Sequence, residues 1–548
     1  MKNFKIVLTL AILILLSSCT EKKPVHIIHV TDVHGYFFPF DYKTGKIIHH
    51  SMSQIYTFVD SLRGAGEEVI IIDTGDLLQG TPMVYYFNKI DTSVMNPAAA
   101  VYNFMNLTAM VVGNHDIEQG PDVYGKFQRE LQAPMLSANA FNPDGSTAFP
   151  PYTIINAGGF KIGLIGLTTP AIPLWLSPDL YPGISWGDIS ESIRPLVEEL
   201  RPQVDFLIAG IHAGIDTAYS LNATAARNLP PENDALRLVR ENPELDLVLL
   251  GHEHRLIPGK YYENSSGEVP LSMPRNASYY FNEIIIGDDQ QIVVKPHKTS
   301  DYKANQAFLS MMQPYHVNTL AYINESLTEL GTGLDMHTAY YYDNALLDLI
   351  QKVQLESTGA DVSFAACFSP WAELKPGTIK IKDIFGIYRY ENYLYGIKMS
   401  GVEIKNYLER SAVFFTNDPE NQLTDPDFPG FNFDVAENVK YTIDLSKPVG
   451  KRIVIRSIAG ELYQPDKQYK VALNSYRFNG GGGHLKSAGN EAPEAYWVSD
   501  AEIRNLIIEY LKKGGTIPVK PDNNWKIVGF KGLDEKVKTY VEKFRKAG

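Results

Sequence analysis

The sequence predicts an α/β protein, and two observations support this class. From Val25 to about Gly287, short apolar runs alternate with amphipathic or polar segments, which is the pattern of sheets covered by helices. Five of these apolar runs are followed at once by short polar motifs rich in Gly, Asp, Asn and His. Because open α/β sheets carry their chemistry at the carboxyl ends of strands, we expect these motifs to meet at one site.

The elements of this first region follow from hydrophobic periodicity. The strands that precede the polar motifs are predicted at His26–Thr31, Val69–Asp73, Ala109–Val112, Phe206–Ala209 and Leu245–Leu250, with a further buried strand at Ile162–Leu167. Helices are predicted at Ser53–Arg63, Ile189–Leu200 and Asn233–Glu241. A β segment over Asp288–Asp301 closes the region.

A chain of 548 residues is too long for one core, so two large domains are expected. An apolar stripe predicts a connecting helix over Asn305–Leu330, which Gly331-Thr332-Gly333 would end. The second half is rich in Tyr and Phe, with helices predicted at Asn344–Glu356, Gly401–Phe414 and Asp500–Lys513. The predicted domains are therefore 25–304 and 334–548, joined by a linker over 305–333.

The first 19 residues are interpreted as a targeting segment rather than as part of the fold. Lys2 and Lys5 precede the apolar stretch Ile6–Leu16, and Leu16-Ser17-Ser18-Cys19 resembles a bacterial lipoprotein signal. Lipidation of Cys19 would anchor the protein in the periplasm or at the outer membrane. A plain secretory signal and a transmembrane anchor are the alternatives, although the stretch is short for a bilayer span.

The charge balance limits the classes of molecule that the protein is expected to bind. With 50 Lys and Arg against 63 Asp and Glu, the formal net charge is −13, which argues against a general surface for nucleic-acid polymers. A small phosphorylated substrate remains compatible if bound cations offset the negative field locally. We expect the protein to be a monomer.

The five polar motifs offer the ligands of a metal centre. They are Asp32-Val33-His34-Gly35, Gly75-Asp76, Gly113-Asn114-His115-Asp116, Gly210-Ile211-His212-Ala213-Gly214 and Gly251-His252-Glu253-His254. Oxygen and imidazole ligands without thiolates suit Mn, Zn, Fe, Co or similar divalent cations. Any one of these histidines could instead be a structural core residue. Five of the 13 His stand at strand ends beside Gly, however, and this favours a shared site.

Seven candidate ligands are too many for one ion and suit two. Asp76 is the natural bridge, because it follows a Gly-Asp turn directly after a long strand. The first ion would take three further ligands: Asp32, His34 and His254. The second would take Asn114, His212 and His252. The i, i+2 spacing of the Asp32/His34 and His252/His254 pairs is that of side chains facing one side of a strand end.

His115 follows Asn114 and is expected to point away from the ions, towards the substrate phosphate. It could donate to a phosphate oxygen or protonate the leaving alkoxide. Asp116 would hold its ring, the orienting role of a supporting carboxylate. The alternative is a helix-start histidine followed by an acid of the first turn.

Two stretches of the second half suggest recognition of a nucleobase. They are Phe431-Asn432-Phe433-Asp434 and Asn474–Gly483, which ends in four glycines. Two aromatic side chains can sandwich a base, and Tyr476 with Phe431 or Phe433 would form this sandwich. The alternative is that these aromatics belong to a core. The predicted substrate-binding residues are Phe431, Tyr476 and Arg477.

The five motifs resemble the calcineurin-like metallophosphoesterase domain, and their combination with the second half resembles the 5′-nucleotidase family. The resemblance extends from about Val25 to Phe530. It implies a four-layer α/β/β/α sandwich, a linker helix and a second α/β domain that binds the nucleoside. It also implies two divalent ions that bind the substrate phosphate.

Within the family, the chain is most similar to the bifunctional 2′,3′-cyclic-nucleotide 2′-phosphodiesterase/3′-nucleotidases. This similarity rests on Pro231–Ala235, Tyr388–Glu409, Tyr441–Arg452 and Asn474–Arg477. It implies opening of 2′,3′-cyclic nucleotides to 3′-nucleotides and dephosphorylation of these to nucleosides. The alternatives are a 5′-nucleotidase, a nucleotide-sugar or thiosulfate-ester hydrolase, and a non-catalytic nucleotide-binding surface lipoprotein. Ala365–Pro370 departs from the Asn-Gly-Gly turn of 5′-nucleotidases.

Overall fold

The computed structural model describes residues 22–215, 224–225 and 228–547, so the predicted signal and Cys19 lie outside the described residues. The chain divides into two compact units. The first unit contains the residues up to Phe40, Ile47–Ile172 and Pro178–His316. The second contains Asp41–Lys46, Pro173–Ser177 and Val317–Gly548.

The first part of the chain supplies the strands of two large sheets and the helices that cover them. The strands are β1 Val25–Val30, β2 Phe40–Asp41, β3 Lys46–Ile47, β4 Glu68–Asp73, β5 Ala109–Val111, β6 Met135–Leu136, β7 Ala140–Phe141, β8 Tyr152–Ala157, β9 Phe160–Thr168, β10 Ser185–Trp186, β11 Phe206–His212, β12 Leu247–Leu250, β13 Ile257–Asn264, β14 Gly267–Met273, β15 Tyr280–Ile286 and β16 Ile292–Lys298. The helices are α1 Met52–Gly64, α2 Pro82–Lys89, α3 Pro97–Met105, α4 Asn114–Ile117, α5 Pro121–Glu130, α6 Ile189–Leu200, α7 Ala235–Glu241 and α8 Gln306–Ile323.

Both large sheets have six strands and are mixed. The first has the order β16-β15-β1-β4-β5-β6, and the second has the order β13-β14-β12-β11-β9-β8. Their centres are parallel, from β1 through β4 and β5 to β6, and from β9 through β11 and β12 to β14. The carboxyl ends of these central strands therefore lie at one edge of each sheet.

The sheets pack face to face through a buried apolar layer. Ile27 and Ile72 of the first sheet belong to the same cluster as Leu164 and Ile208 of the second. The other face of the second sheet packs against α6 and α7 in a separate cluster, while α1 contacts β4 of the first sheet. This is the α/β/β/α order implied by the resemblance, and the predicted α/β class is confirmed.

The second unit is a smaller mixed α/β assembly. Its strands are β17 Ser326–Leu330, β18 Leu334–Asp335, β19 Val362–Ala366, β20 Glu373–Leu374, β21 Gly377–Lys380, β22 Tyr393–Ser400, β23 Asp434–Glu437, β24 Val439–Asp444, β25 Ile453–Ile458, β26 Glu461–Leu462, β27 Gln468–Asn474, β28 Ala495–Glu502 and β29 Trp525–Val528. Its helices are α9 Ala345–Thr358, α10 Ile381–Ile387, α11 Gly401–Ser411, α12 Ser475–Phe478, α13 His484–Ala488, α14 Ile503–Lys512 and α15 Leu533–Ala547. A five-stranded sheet has the order β23-β19-β27-β22-β28, and a four-stranded sheet has the order β26-β25-β24-β29.

Two predicted helices extend into residues that form strands. The helix predicted over Asn305–Leu330 ends at Ile323, because the Asn324 side chain donates to the Leu320 carbonyl at 2.8 Å and β17 then pairs with β21. The helix predicted from Asp500 begins at Ile503, because the preceding residues belong to β28, which pairs with β22. Strand partners distant in sequence decide both boundaries.

Among the described residues, no helix has the length and apolarity needed to cross a membrane.

Candidate metal and active site

Strand register brings the five polar motifs to matching strand ends. In the first sheet Val30 lies beside Asp73 and Asp73 beside Met110, so the chain leaves β1, β4 and β5 at the same level. In the second sheet Ile211 lies beside Leu250. β11 extends through His212, three residues beyond the predicted end of this strand. The predicted ligands follow these ends or, for His212, form one.

Five of the predicted ligands have left-handed backbone conformations. Their φ angles are 48° at Asp32, 50° at His34, 63° at Asp76, 75° at His252 and 58° at His254. Such angles are uncommon outside glycine, and the strain persists only where the surrounding structure enforces it. The spacing predicts that the Asp32/His34 and His252/His254 pairs lie on extended strand ends. In the structure these pairs lie in tight turns instead.

Glycines allow the loops after β4 and β5 to touch. A Cβ atom on Gly113 would lie 2.3 Å from both the backbone nitrogen and Oδ1 of Asp76. A Cβ atom on Gly75, where φ is 99°, would lie 2.7 Å from the Gly113 nitrogen. These residues are glycine because their neighbours leave no space for a side chain.

One cluster joins Asp32, His34 and His254, whose ligand atoms all lie within 4.8 Å of one another. The Nε2 atoms of His34 and His254 are 3.1 Å apart. His254 Nε2 is 3.3 Å from Asp32 Oδ1, a buried oxygen without a hydrogen-bond partner. Burial favours the neutral form of Asp32, but the two nearby imidazoles of His254 and His212 outweigh it and lower the pKa of Asp32 to about 2.

A second cluster joins Asp76, His212 and His252 with the same mutual proximity. His212 Nε2 lies 3.1 Å from Asp76 Oδ2 and 3.1 Å from the Oδ1 atom of Asn114. All the predicted metal ligands thus stand in two adjoining groups. The clusters interact electrostatically, since the charge of the Asp76 carboxylate favours the protonated form of the His34 imidazole as well as that of His212.

The protonation pattern of the buried imidazoles fits cations. His34 Nδ1 faces the Gln79 carbonyl at 3.1 Å, and His212 Nδ1 faces the Thr74 carbonyl at 2.6 Å. A carbonyl only accepts, so each Nδ1 carries a proton, and once Nε2 is deprotonated its lone pair points towards its cluster. A carbonyl behind the ring is the usual support of a metal-binding histidine.

A proton and a metal cation would compete for the Nε2 lone pair of His212. Burial lowers the pKa of the His212 imidazole, but the charge of Asp76 outweighs burial and raises the pKa to about 9. The residues present therefore fit a pair of divalent ions: oxygen and imidazole donors, one buried oxygen without a partner, and histidines oriented from behind.

Glu118, which the sequence did not single out, holds the ring of His115. His115 Nδ1 lies 2.5 Å from Glu118 Oε2. The backbone nitrogen of His115 donates to Asp76 Oδ1 at 2.8 Å, which fixes its Cα position relative to the clusters. Its ring centroid is 5.5 Å from that of His34, and its side chain is 30 % exposed. His115 therefore lies beside the metal ligands without belonging to either cluster.

The predicted role of Asp116 as the partner of His115 is wrong. Its Oδ2 accepts from the backbone N–H groups of Asp76 and Gly113, and its Oδ1 accepts from those of Leu77 and Leu78. Both oxygens are thus engaged with backbone. Burial, reinforced by the charge of Asp76, raises the pKa of Asp116 to about 6. Asp116 positions the turn that carries Asp76.

Glu232 is a second acid that the sequence did not assign to the site. Its Oε1 lies 2.9 Å from His252 Nε2. Because Nε2 faces this carboxylate, Nδ1 is the nitrogen that His252 would offer to its cluster. Glu118 lies three residues from its histidine and could have been found from helical spacing, whereas no spacing rule connects Glu232 with His252.

In the second unit, Arg477 is not placed to contact substrate, contrary to the prediction. It is 1 % exposed, and its five N–H donors are used within the protein. The acceptors are both oxygens of Asp434, Asn432 Oδ1, and the carbonyls of Gly481 and Phe431. Arg477 therefore joins the turn that carries Phe431 to the turn that carries Tyr476.

Phe431 and Phe433, the two alternatives for the second face of the base sandwich, differ in exposure. Phe431 is 38 % exposed, while Phe433 is 1 % exposed and packs on Phe414 at 5.2 Å between ring centroids. Phe433 is therefore a core residue. Tyr476 is half-buried, and a Cβ atom on Gly481 would meet its ring at 2.5 Å. A side chain at position 481 would collide with the Tyr476 ring, so Gly481 leaves the space that this ring occupies.

A two-sheet sandwich with paired Asp/His clusters at its strand ends defines the calcineurin-like phosphoesterases, and the first unit has this form. The family model of the calcineurin-like phosphoesterase matches residues 25–256, and that of the 5′-nucleotidase C-terminal domain matches residues 318–488. The chain belongs to the 5′-nucleotidase family, and the predicted resemblance is confirmed. The phosphoesterase domain implies divalent metal ions, for which the two clusters are the candidate sites.

Curated relatives of this chain are enzymes that act on nucleotides. The chain is 25 % identical over 593 residues to the trifunctional nucleotide phosphoesterase protein YfkN of Bacillus subtilis, covering 94 % of this chain and 40 % of that protein. It is 24 % identical over 596 residues to the 2′,3′-cyclic-nucleotide 2′-phosphodiesterase/3′-nucleotidase of Haemophilus influenzae, covering 93 % and 88 %.

The fold is also that of solved structures. A Staphylococcus aureus protein solved in complex with alpha-ketoglutarate superposes with a TM-score of 0.78 at 22 % identity, covering 92 % of this chain and 100 % of that one. This likeness extends over both units and supports the two-domain α/β class.

Proposed function

We propose that the protein is a dimetal hydrolase of nucleotides that opens 2′,3′-cyclic nucleotides to 3′-nucleotides and then releases phosphate from these. The observation that carries the proposal is the pair of adjoining Asp/His clusters with His115 beside them. The curated relative from Haemophilus influenzae, which has this named activity, is matched over 88 % of its length.

The residues around the phosphate have separable tasks. Divalent ions held by the two clusters would supply charge neutralisation at the phosphoryl oxygens and activation of water; Mn, Zn, Fe and Co all suit the donors. His115 would donate a proton to the leaving oxygen. Since Glu118 accepts from Nδ1, Nε2 is the atom that presents this proton.

The second unit would recognise the nucleoside. Phe431 is an exposed aromatic, and Tyr476 is half-buried on a turn that Arg477 ties to it. Stacking of a base on an aromatic ring contributes about 1–3 kcal/mol. Such contacts tolerate different bases, so the proposed preference concerns the position of the phosphate more than the identity of the base.

Release of inorganic phosphate from matched adenosine esters tests the assignment. The metal-loaded protein should hydrolyse 3′-AMP and convert 2′,3′-cyclic AMP through 3′-AMP to adenosine, with 5′-AMP as the poorer substrate. A preference for 5′-AMP would instead support a 5′-nucleotidase, the second candidate, which is favoured by the match of residues 318–488 to the 5′-nucleotidase C-terminal domain.

We also propose that the enzyme is a monomer anchored in the bacterial envelope by lipid on Cys19, a proposal supported by the Lys2–Cys19 pattern. Cells expressing wild type and Cys19→Ala would be fractionated after labelling with a palmitate analogue. Label and membrane association should be lost in the variant. Unchanged labelling of Cys19→Ala would refute the anchor, and light scattering of the detergent-solubilised protein would test the monomer.

A further inference from the structure

Four carboxylates from separate segments converge in the second unit. Asp343 precedes α9, Asp348 lies in its first turn, Glu437 ends β23, and Asp522 lies in the loop before β29. Ligand oxygens of Asp343, Asp348 and Asp522 all lie within 4.8 Å of one another. None of the five polar motifs or the aromatic turns contributes to this group, which we call the acidic cluster.

Asn524 and the backbone around it arrange the acidic cluster. The Asn524 backbone nitrogen donates to Asp343 Oδ2 at 3.2 Å and to Asp522 Oδ1 at 2.9 Å. Its side-chain nitrogen donates to Glu437 Oε2 at 3.3 Å. The Asp522 backbone nitrogen donates to Asp348 Oδ2 at 3.3 Å. The loop before β29 therefore gathers all four acids.

No basic side chain compensates this charge among the described residues. The charged groups that act most strongly on Asp348 are the carboxylates of Asp343, Glu437 and Asp522. Burial, together with these like charges, raises the pKa of Asp348 and of Glu437 to about 8 and that of Asp343 to about 6. In the absence of a cation, protons would have to relieve the repulsion.

A buried oxygen in the acidic cluster lacks any partner. Asp348 is 7 % exposed, and its Oδ1 has no hydrogen-bond partner. The Oδ1 atom of Asn524, which is 6 % exposed, also has none. Buried polar atoms are nearly always paired, and an unpaired oxygen among carboxylates is suited to a cation, which accepts several oxygen lone pairs at once. Asp522 is exposed and leaves a path to solvent.

We propose that the acidic cluster binds a calcium ion, with the carboxylates of Asp343, Asp348 and Asp522 as its central ligands and Glu437 beside them. Calcium takes six to eight oxygen ligands in flexible geometry, whereas magnesium retains water and demands a regular octahedron. Zinc would favour nitrogen or sulfur donors, which the acidic cluster does not offer. The ion would tie the start of α9 to the end of β23 and to the loop before β29.

Calcium titration of the full chain by calorimetry tests the proposal, with CaCl₂ as the probe after removal of bound metal by a chelator. Wild type should bind calcium at pH 7.5, and Asp348→Asn and Asp522→Asn should bind it at least about tenfold more weakly. Glu356→Gln is the matched control, because it removes one negative charge from an exposed position of α9 and should leave binding intact.

Two further measurements show whether the variants are folded and whether the calcium response comes from the acidic cluster. Asp522 lies in an exposed loop, so its variant should retain the circular dichroism spectrum of the wild type. Calcium should raise the Tm of wild type and Glu356→Gln but not that of the two cluster variants. The proposal is overturned if wild type binds no calcium up to millimolar concentrations. It is equally overturned if both cluster variants, folded, bind calcium as tightly as wild type.

Discussion

The Nδ1 atom of His115 lies 2.5 Å from the Oε2 atom of Glu118, one helical turn further along the chain. This contact identifies the group that orients the proposed proton donor. Glu118→Gln should lower kcat by about 10- to 100-fold, the usual loss when a supporting carboxylate is removed. Metal content should stay unchanged, because Glu118 lies in neither cluster.

The control for this effect is Asp122→Asn, which removes a carboxylate from an exposed position of α5. Steady-state kinetics and elemental analysis of both variants are compared with those of wild type. An unchanged kcat in Glu118→Gln would show that the contact is structural. Loss of metal in that variant would mean that Glu118 supports the ions instead.

Arg477 is predicted to stabilise the fold and not to bind the phosphate. Arg477→Met leaves the buried carboxylate of Asp434 without its charged partner, and losing one partner of a buried ion pair typically costs about 3–5 kcal/mol. The midpoint of urea unfolding should therefore fall markedly. Arg456→Met, at an exposed position of β25, should leave it within experimental error. A variant with normal stability but a raised KM would restore the substrate-binding interpretation.

Phe431 is predicted to contact the base. Phe431→Ala should raise KM for 3′-AMP by roughly 5- to 150-fold, which corresponds to stacking of about 1–3 kcal/mol. The KM for p-nitrophenyl phosphate, which has no base, should change little. Equal losses for both substrates would indicate a general disturbance of the second unit and would contradict base recognition by this residue.

His29 is predicted to make the first unit sensitive to acid. Burial lowers its pKa to about 3, while the unfolded chain has the ordinary value of about 6.5. The unfolded state therefore binds more protons between these values, and stability falls as pH drops from 6.5 towards 3. Between pH 7 and pH 4.5 the loss from this group is about 2–3 kcal/mol.

Urea unfolding of wild type and His29→Gln across this pH range tests the prediction. A glutamine side chain can still form a hydrogen bond with Ser272 or Thr74, the partners of the imidazole, but it does not titrate in this pH range. Its stability should decline less steeply below pH 6.5. Parallel curves for the two proteins would mean that His29 is not responsible for any acid lability.

The sequence predicted the parts of the site that are local. Apolar runs fixed the strands before Asp32, Asp76 and Asn114 to within about two residues, because buried parallel strands are almost continuously apolar. Parallel order then required their ends to meet. The left-handed turns at His252 and His254 could not be predicted, since residues other than glycine rarely adopt this conformation.

Contacts between distant segments account for the errors. Arg477 looked like a ligand of substrate because it stands beside glycines, yet four of its five side-chain hydrogen bonds go to residues 431–434. Asp116 follows His115, but its oxygens turn back to the Asp76 loop. In each case a polar side chain had a better acceptor or donor inside the fold than the one next to it in sequence.

Metal analysis of Asp76→Ala tests whether the two clusters hold a pair of catalytic ions. Asp76 is a buried member of the second cluster, accepts from the His115 backbone and has Oδ2 3.1 Å from His212 Nε2. Wild type should hold about two divalent ions per chain and hydrolyse 3′-AMP, whereas folded Asp76→Ala should lose both the ions and the activity. His115→Ala should keep the ions and lose only rate. An Asp76→Ala protein that still holds two ions and turns over substrate would show that Asp76 neither holds the ions nor supports hydrolysis.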